Sequence, residues 1–147
     1  MGYAQHKTMT RGAINWLLSK IKARGLKPEY NEDETGDWHR HYIRIPDTGI
    51  IIQWMRWRSA ESVATASGSG YQSSRTVNLG DWKIPFKQLQ ASFAWVQGPA
   101  GSNVWLSTAN PQTESNGGTY YIKSHAAVST QKSYWVYVVA IGTYERS

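Results

Sequence analysis

Residues 49–57 read Gly49-Ile50-Ile51-Ile52-Gln53-Trp54-Met55-Arg56-Trp57, and this stretch decides the fold. It is the most apolar run in the chain. Pro46 and Gly49 bound it on one side, and a Ser/Ala/Gly stretch on the other. A short, isoleucine-rich run between such breakers reads as a strand, not a helix. It is apolar on both faces, so its expected place is inside a sandwich or against another subunit.

Working outward, residues 38–45 alternate Trp38, Arg40, Tyr42 and Arg44 with His39, His41, Ile43 and Ile45. That period of two predicts a strand, and the Pro46-Asp47-Thr48-Gly49 turn makes a hairpin with the run above. Residues 29–36 read as an acidic, turn-rich linker. Before it, Ile14, Leu17, Leu18 and Ile21 recur at helical spacing. Thr8 or Thr10 suits the helix start, Gly25 its end, and Pro28 forbids continuation. The spacing predicts a helix over residues 11–24.

Downstream, residues 59–74 read as an exposed loop with a short strand around 62–66. Strands are predicted at 75–79, 82–86, 88–97, 103–107, 120–125 and 133–141, and 108–118 reads as a long polar loop. Within 88–97, Leu89, Ala91, Phe93 and Trp95 share one face. The last strand is apolar on both faces. Turn-punctuated short strands after a single helix predict a mainly β protein, a small antiparallel β-sandwich with a short N-terminal α-helix.

The 147 residues suffice for one domain with a real core. Hydrophobic residues make up 40%, and 8 Trp and 9 Tyr stand against only 2 Phe. Trp and Tyr pair a flat apolar body with a polar tip, which suits recognition surfaces as well as cores. With no cysteine, disulfides, thiolate metal sites and cysteine nucleophiles are excluded. No segment reaches the ~18 apolar residues of a membrane span, and no signal-peptide core is visible. The net charge of +6 is uneven. Lys7, Arg11, Lys20, Lys22, Arg24 and Lys27 crowd the start, followed by Glu29, Glu32, Asp33, Glu34 and Asp37. The basic helix stands alone, so a helix-turn-helix is unsupported and no nucleic-acid partner is expected.

Gly49 to Trp54 resembles the opening strand of the C-terminal receptor-binding domain of phage tail fibre proteins. Val77-Asn78-Leu79-Gly80-Asp81-Trp82-Lys83-Ile84-Pro85-Phe86 resembles that family's central strand with its Pro-Phe corner, and residues 89–95 its next strand. Trp135 to Gly142 resembles the closing strand, which ends in Ala-Ile-Gly. Met55 departs from the family's usual glycine. The resemblance covers residues 49–144. It implies an H-type-lectin-like sandwich, a homotrimer joined to the rest of the tail fibre, that binds a host bacterial surface polysaccharide such as lipopolysaccharide or capsule. It places the protein in the virion, made in the host cytoplasm. On this reading residues 1–48 are a stem or attachment segment and residues 49–147 the receptor-binding head. A trimerisation cap or folding clamp with no ligand of its own is the alternative.

Sugar binding needs flat aromatic faces with hydrogen-bonding neighbours. Trp105, flanked by Asn103 and Ser107, is the first candidate, followed by Trp57, Arg58, Tyr71 and Tyr120. Core packing is the competing role for each aromatic. Catalysis is not expected: glycoside hydrolysis needs two placed carboxylates, and the β region offers only Glu61, Asp81, Glu114 and Glu145. His39 and His41 sit two apart on one strand face, about 7 Å between Cα atoms. No cofactor is required, but three such pairs around a three-fold axis would offer six nitrogens to iron or another transition metal. The alternative is an ordinary exposed strand.

Overall fold

A computed structural model describes the backbone of residues 3–146 and the side chains of residues 11–146. Helix α1 spans Tyr3–Lys22. It therefore begins before Thr8 and Thr10, whose side chains lie outside the described residues. Gly25 ends it as expected, at φ 78°, with its N–H bonded to the Lys22 carbonyl. Ile14 is buried, while Trp16 on another side is 62% exposed. Arg11 ties the helix to the sheet through Glu32 at 2.8 and 3.1 Å.

Nine strands follow: β1 (Glu29–Thr35), β2 (Trp38–Ile45), β3 (Ile50–Ser67), β4 (Gly70–Ser73), β5 (Val77–Asn78), β6 (Gln88–Gln97), β7 (Val104–Asn110), β8 (Thr119–Ser124) and β9 (Val128–Thr143). All pairings are antiparallel, and they join into one nine-stranded sheet. The mainly β expectation holds. The two sheets of a sandwich are replaced by a single sheet that curls over its own core.

The opening isoleucine run lies at the centre of this sheet. The first half of β3 sits between β2 and β9, with Trp54 opposite His41 and Val139. Its second half turns through Gly68 (φ 60°) into β4, which pairs with β8. Register shifts between Glu61 and Val63 and between Val63 and Thr65 mark where the strand leaves β9 for β4. A bulge there bends the strand and steepens its twist, which brings the second half of the sheet back over the first.

Two further segments read as loop or linker are strand. Residues 59–67 continue β3, because Ser59, Glu61 and Val63 keep the inward alternation of Ile51, Gln53 and Met55. Residues 29–35 form β1, because their acids meet cations. Arg40 reaches Asp33 at 2.8 Å, Lys83 reaches it at 2.7 Å, and Arg44 pairs with Glu29. The expected division at residues 48 and 49 falls in the β2–β3 turn, inside this one hydrogen-bonded sheet.

Inside the curl, Tyr134, Val136, Val138 and Ala140 of β9 meet Ile51, Met55 and Val63 of β3. Val77, Leu79, Trp82, Phe86, Tyr120 and Ile122 close the core. Each large apolar side chain buried this way contributes on the order of 1.5–3 kcal/mol. Residues 82–86, expected as strand, are instead a looped segment. Its backbone is held by Gln53, by the Trp82 N–H on Ser115 and by the Phe86 N–H on Glu114.

Candidate functional site

Strands β4, β8 and β7 lie side by side, with Gln72 and Trp105 on either side of Lys123. On their surface is an open groove of about 280 Å³, walled at one end by the β3–β4 turn. Its lining includes Tyr71, Trp105, Ser107, Lys123, His125 and Ser67, and no carboxylate. Trp105 is 40% exposed, an indole held on a strand and open to water. His125 packs against it with ring centroids 4.6 Å apart. Lys123 Nζ donates to Ser67 Oγ at 2.6 Å, fixing the ammonium beside the turn. Gly70 allows β4 to approach β8 closely. A Cβ there would lie 2.7 Å from the Ser124 carbonyl oxygen.

Of the expected sugar-binding residues, Trp105 and Tyr71 both line this groove, but Tyr71 also packs against the core and, opposite the buried Ser124, lies on the strand face away from Lys123. Asn103 is exposed just before β7 and does not line it. Tyr120 is overturned: it is 1% exposed in the core, and its hydroxyl donates to the Gly117 carbonyl at 2.7 Å. Burial pushes its pKa up to about 12. Trp57 packs edge-on against Trp38 at the margin of the core. Arg58 pairs with Asp37 at 2.5 Å and lies over Trp135. Neither lines the groove. Lys123 and His125 were missed, since only the pairing of β7 with β8 sets Lys123 beside Trp105.

His39 and His41 lie on the outer face of the sheet, yet they are 8% and 6% exposed. Glu34 Oε1 stands 3.3 Å from His39 Nδ1 and 3.3 Å from His41 Nε2. The three ligand atoms lie within 4.8 Å of one another. The surroundings do not fit a metal ion. The Arg56 guanidinium donates to His39 Nδ1 at 2.9 Å, placing a fixed cation where the ion would sit. The other His39 nitrogen bonds the Gly36 carbonyl at 2.9 Å. His41 is stacked on Trp54 at 5.3 Å and shares a hydrogen bond with the Tyr30 hydroxyl. A six-nitrogen site on an axis needs imidazoles that project outward, and these two are covered by their own chain. Desolvation, the largest cause, lowers the His41 pKa, against the raising effect of Glu34 and Glu32.

The outer face carries a second feature. A register shift between Leu89 and Ala91 splits the apolar face expected of β6. Leu89, Ala94 and Val96 pack on the core, while Phe93 and Trp95 point outward at 64% and 39% exposure. They continue across β9 and β3 into Ile141 and Ile50, both also exposed. Trp95 stacks on Tyr137 at 4.9 Å and Phe93 on Trp95 at 5.7 Å.

The fold and groove define a small, mainly β protein with an aromatic, cation-bearing surface site. The chain is similar to a C-terminal fragment of the P. aeruginosa R1 pyocin fibre, at 20% identity and a TM-score of 0.46, covering 83% of this chain and 30% of that one. It is also similar to an N-truncated R1-type pyocin tail fibre, at 21% identity and a TM-score of 0.46, covering 84% of this chain and 93% of that one. No protein-family model and no curated protein matches the chain.

Proposed function

We propose that this chain is the receptor-binding tip of a phage-type tail fibre, a homotrimer that binds a host bacterial surface glycan without cleaving it. The observation that carries the reading is the Trp105 groove, where an exposed indole on a strand lies among the hydroxyls of Ser67, Ser69 and Ser107. A sugar ring stacks its C–H face on an indole, and neighbouring hydroxyls accept and donate to its own. The motif resemblance over residues 49–144 supports the fibre context. A lining without carboxylates favours binding over hydrolysis, which needs two of them.

Trimer assembly draws support from the outward aromatics of β6 and β9. Contiguous exposed apolar surface marks a contact site. Three weak sugar sites on one rigid assembly then act together through effective concentration. Attachment to the rest of a fibre and residence in the virion follow from the same reading. The test is a lipopolysaccharide and capsule array on the purified protein, with Trp105→Ala alongside. Binding lost in the variant at unchanged melting temperature supports the reading. Absence of binding by the unaltered protein would leave the trimerisation-cap role in its place.

A further inference from the structure

We infer that the glycan accepted by the Trp105 groove is anionic, carrying a carboxylate or a phosphate, and that Lys123 is the residue that selects it. The inference rests on the glycan reading and adds the class of sugar to it.

Lys123 sits directly across the strand pair from Trp105, in register on the same face. Side chains so placed have Cβ atoms about 5 Å apart. A ring stacked on the indole therefore carries its substituents within reach of the ammonium. The ammonium is positioned in advance: one of its three N–H groups is given to Ser67 Oγ at 2.6 Å, leaving two for a ligand. A donor already held in place loses less freedom on binding.

The lining holds no carboxylate, so the Lys123 charge meets no acid within the groove. A cation beside an aromatic platform in an acid-free groove has more to give to an anionic substituent than to a neutral hydroxyl, because charge-assisted hydrogen bonds are roughly twice as strong as neutral ones. The net charge of +6 favours the encounter in the same sense.

A purely structural Lys123, serving only to tie β8 to the β3–β4 turn, is the competing account. Calorimetry with three probe sets separates the two: neutral oligosaccharides, uronic-acid oligosaccharides and phosphorylated oligosaccharides. Each is titrated into the unaltered protein, Lys123→Met, Lys123→Arg and Ser67→Ala, with melting temperatures recorded. The expected result is about tenfold tighter binding of at least one anionic set over the neutral set. The preference should weaken in high salt, vanish in Lys123→Met and survive in Lys123→Arg. The uronic and phosphorylated arms identify which anion is preferred. Equal binding of neutral and anionic sugars, or a preference that survives Lys123→Met, overturns the inference and leaves the glycan reading intact. If no probe set binds the unaltered protein, both fall.

Discussion

Gln53 and Ile84 are joined by two hydrogen bonds in the core. The Gln53 side-chain amide Nε2 donates to the Ile84 carbonyl at 2.6 Å, and the Ile84 N–H donates back to the side-chain oxygen Oε1 of Gln53 at 3.1 Å. Gln53 is 1% exposed. One buried amide thus replaces a strand partner for the looped segment 82–86, which carries Trp82 and Phe86 into the core.

Gln53→Ala orphans a backbone donor and acceptor together and leaves a cavity. Each unsatisfied group costs about 1–3 kcal/mol, so a loss of about 3 kcal/mol in denaturant unfolding is expected. A variant as stable as the unaltered protein would show that the segment is held by its other bonds.

Acid sensitivity should appear first at His41. Its pKa is lowered in the folded state, chiefly by burial beneath Trp54 and Tyr30, with Glu34, Glu32, Arg56 and His39 around it. Below about pH 6.5 the unfolded chain takes up a proton that the folded chain resists. Stability therefore falls as pH drops from there towards the folded pKa. His41→Phe keeps the ring stack and removes the titration. The slope of stability against pH between 6.5 and 5 should flatten in this variant, as read by chemical unfolding across that range. An unchanged slope assigns the sensitivity elsewhere.

Asp33 governs a more acidic window. Hydrogen bonds from Lys83 first, then from Thr35 and Arg40, lower its pKa to about 2. The sign is the usual one for a carboxylate. Its contribution is fully present above its unfolded value near 3.8 and is lost as pH falls through about 2. Asp33→Asn should be less stable than the unaltered protein at pH 7, and the difference should shrink between pH 4 and 2. A gap that stays constant across that window would count against the ion-pair account.

The outward aromatics of β6 predict the assembly surface. Phe93→Glu with Trp95→Glu places charge on residues 64% and 39% exposed. Substitutions at such positions change monomer stability by only about 0.5 kcal/mol. Sedimentation should show an oligomer for the unaltered chain and a smaller species for the double variant, with matching circular dichroism. Equal masses would exclude this face from assembly.

Much of the architecture was legible locally. Alternation located β2 and β6, the apolar run located the core of β9, and Gly25 after the helix and Gly49 in the turn before β3 adopt positive φ. What failed did so through long-range partners. The acidic run 29–35 looks like linker until Arg40, Arg44 and Lys83 are placed beside it. The small, polar run 59–67 looks like loop with only a short strand at 62–66 until β9 and β4 pair with it. Residues 82–86 look like a strand until Gln53 takes their backbone bonds. In β6 one extra residue between Leu89 and Ala91 sends Phe93 and Trp95 outward, and nothing in the alternation announces it.

The candidate site divides in the same way. The sequence by itself determined a cysteine-free, mainly β chain, rich in Trp and Tyr, with its centre at Gly49 to Trp57. It also marked Trp105 and Tyr71 as residues suited to a sugar. Only the tertiary structure decided that these two share a groove with Lys123 and His125, that Tyr120 is core, and that His39 and His41 are locked to Arg56, Glu34 and Tyr30. The physical reason is that a strand's periodicity fixes which residues share a face, whereas the curl and register of the sheet fix which faces meet.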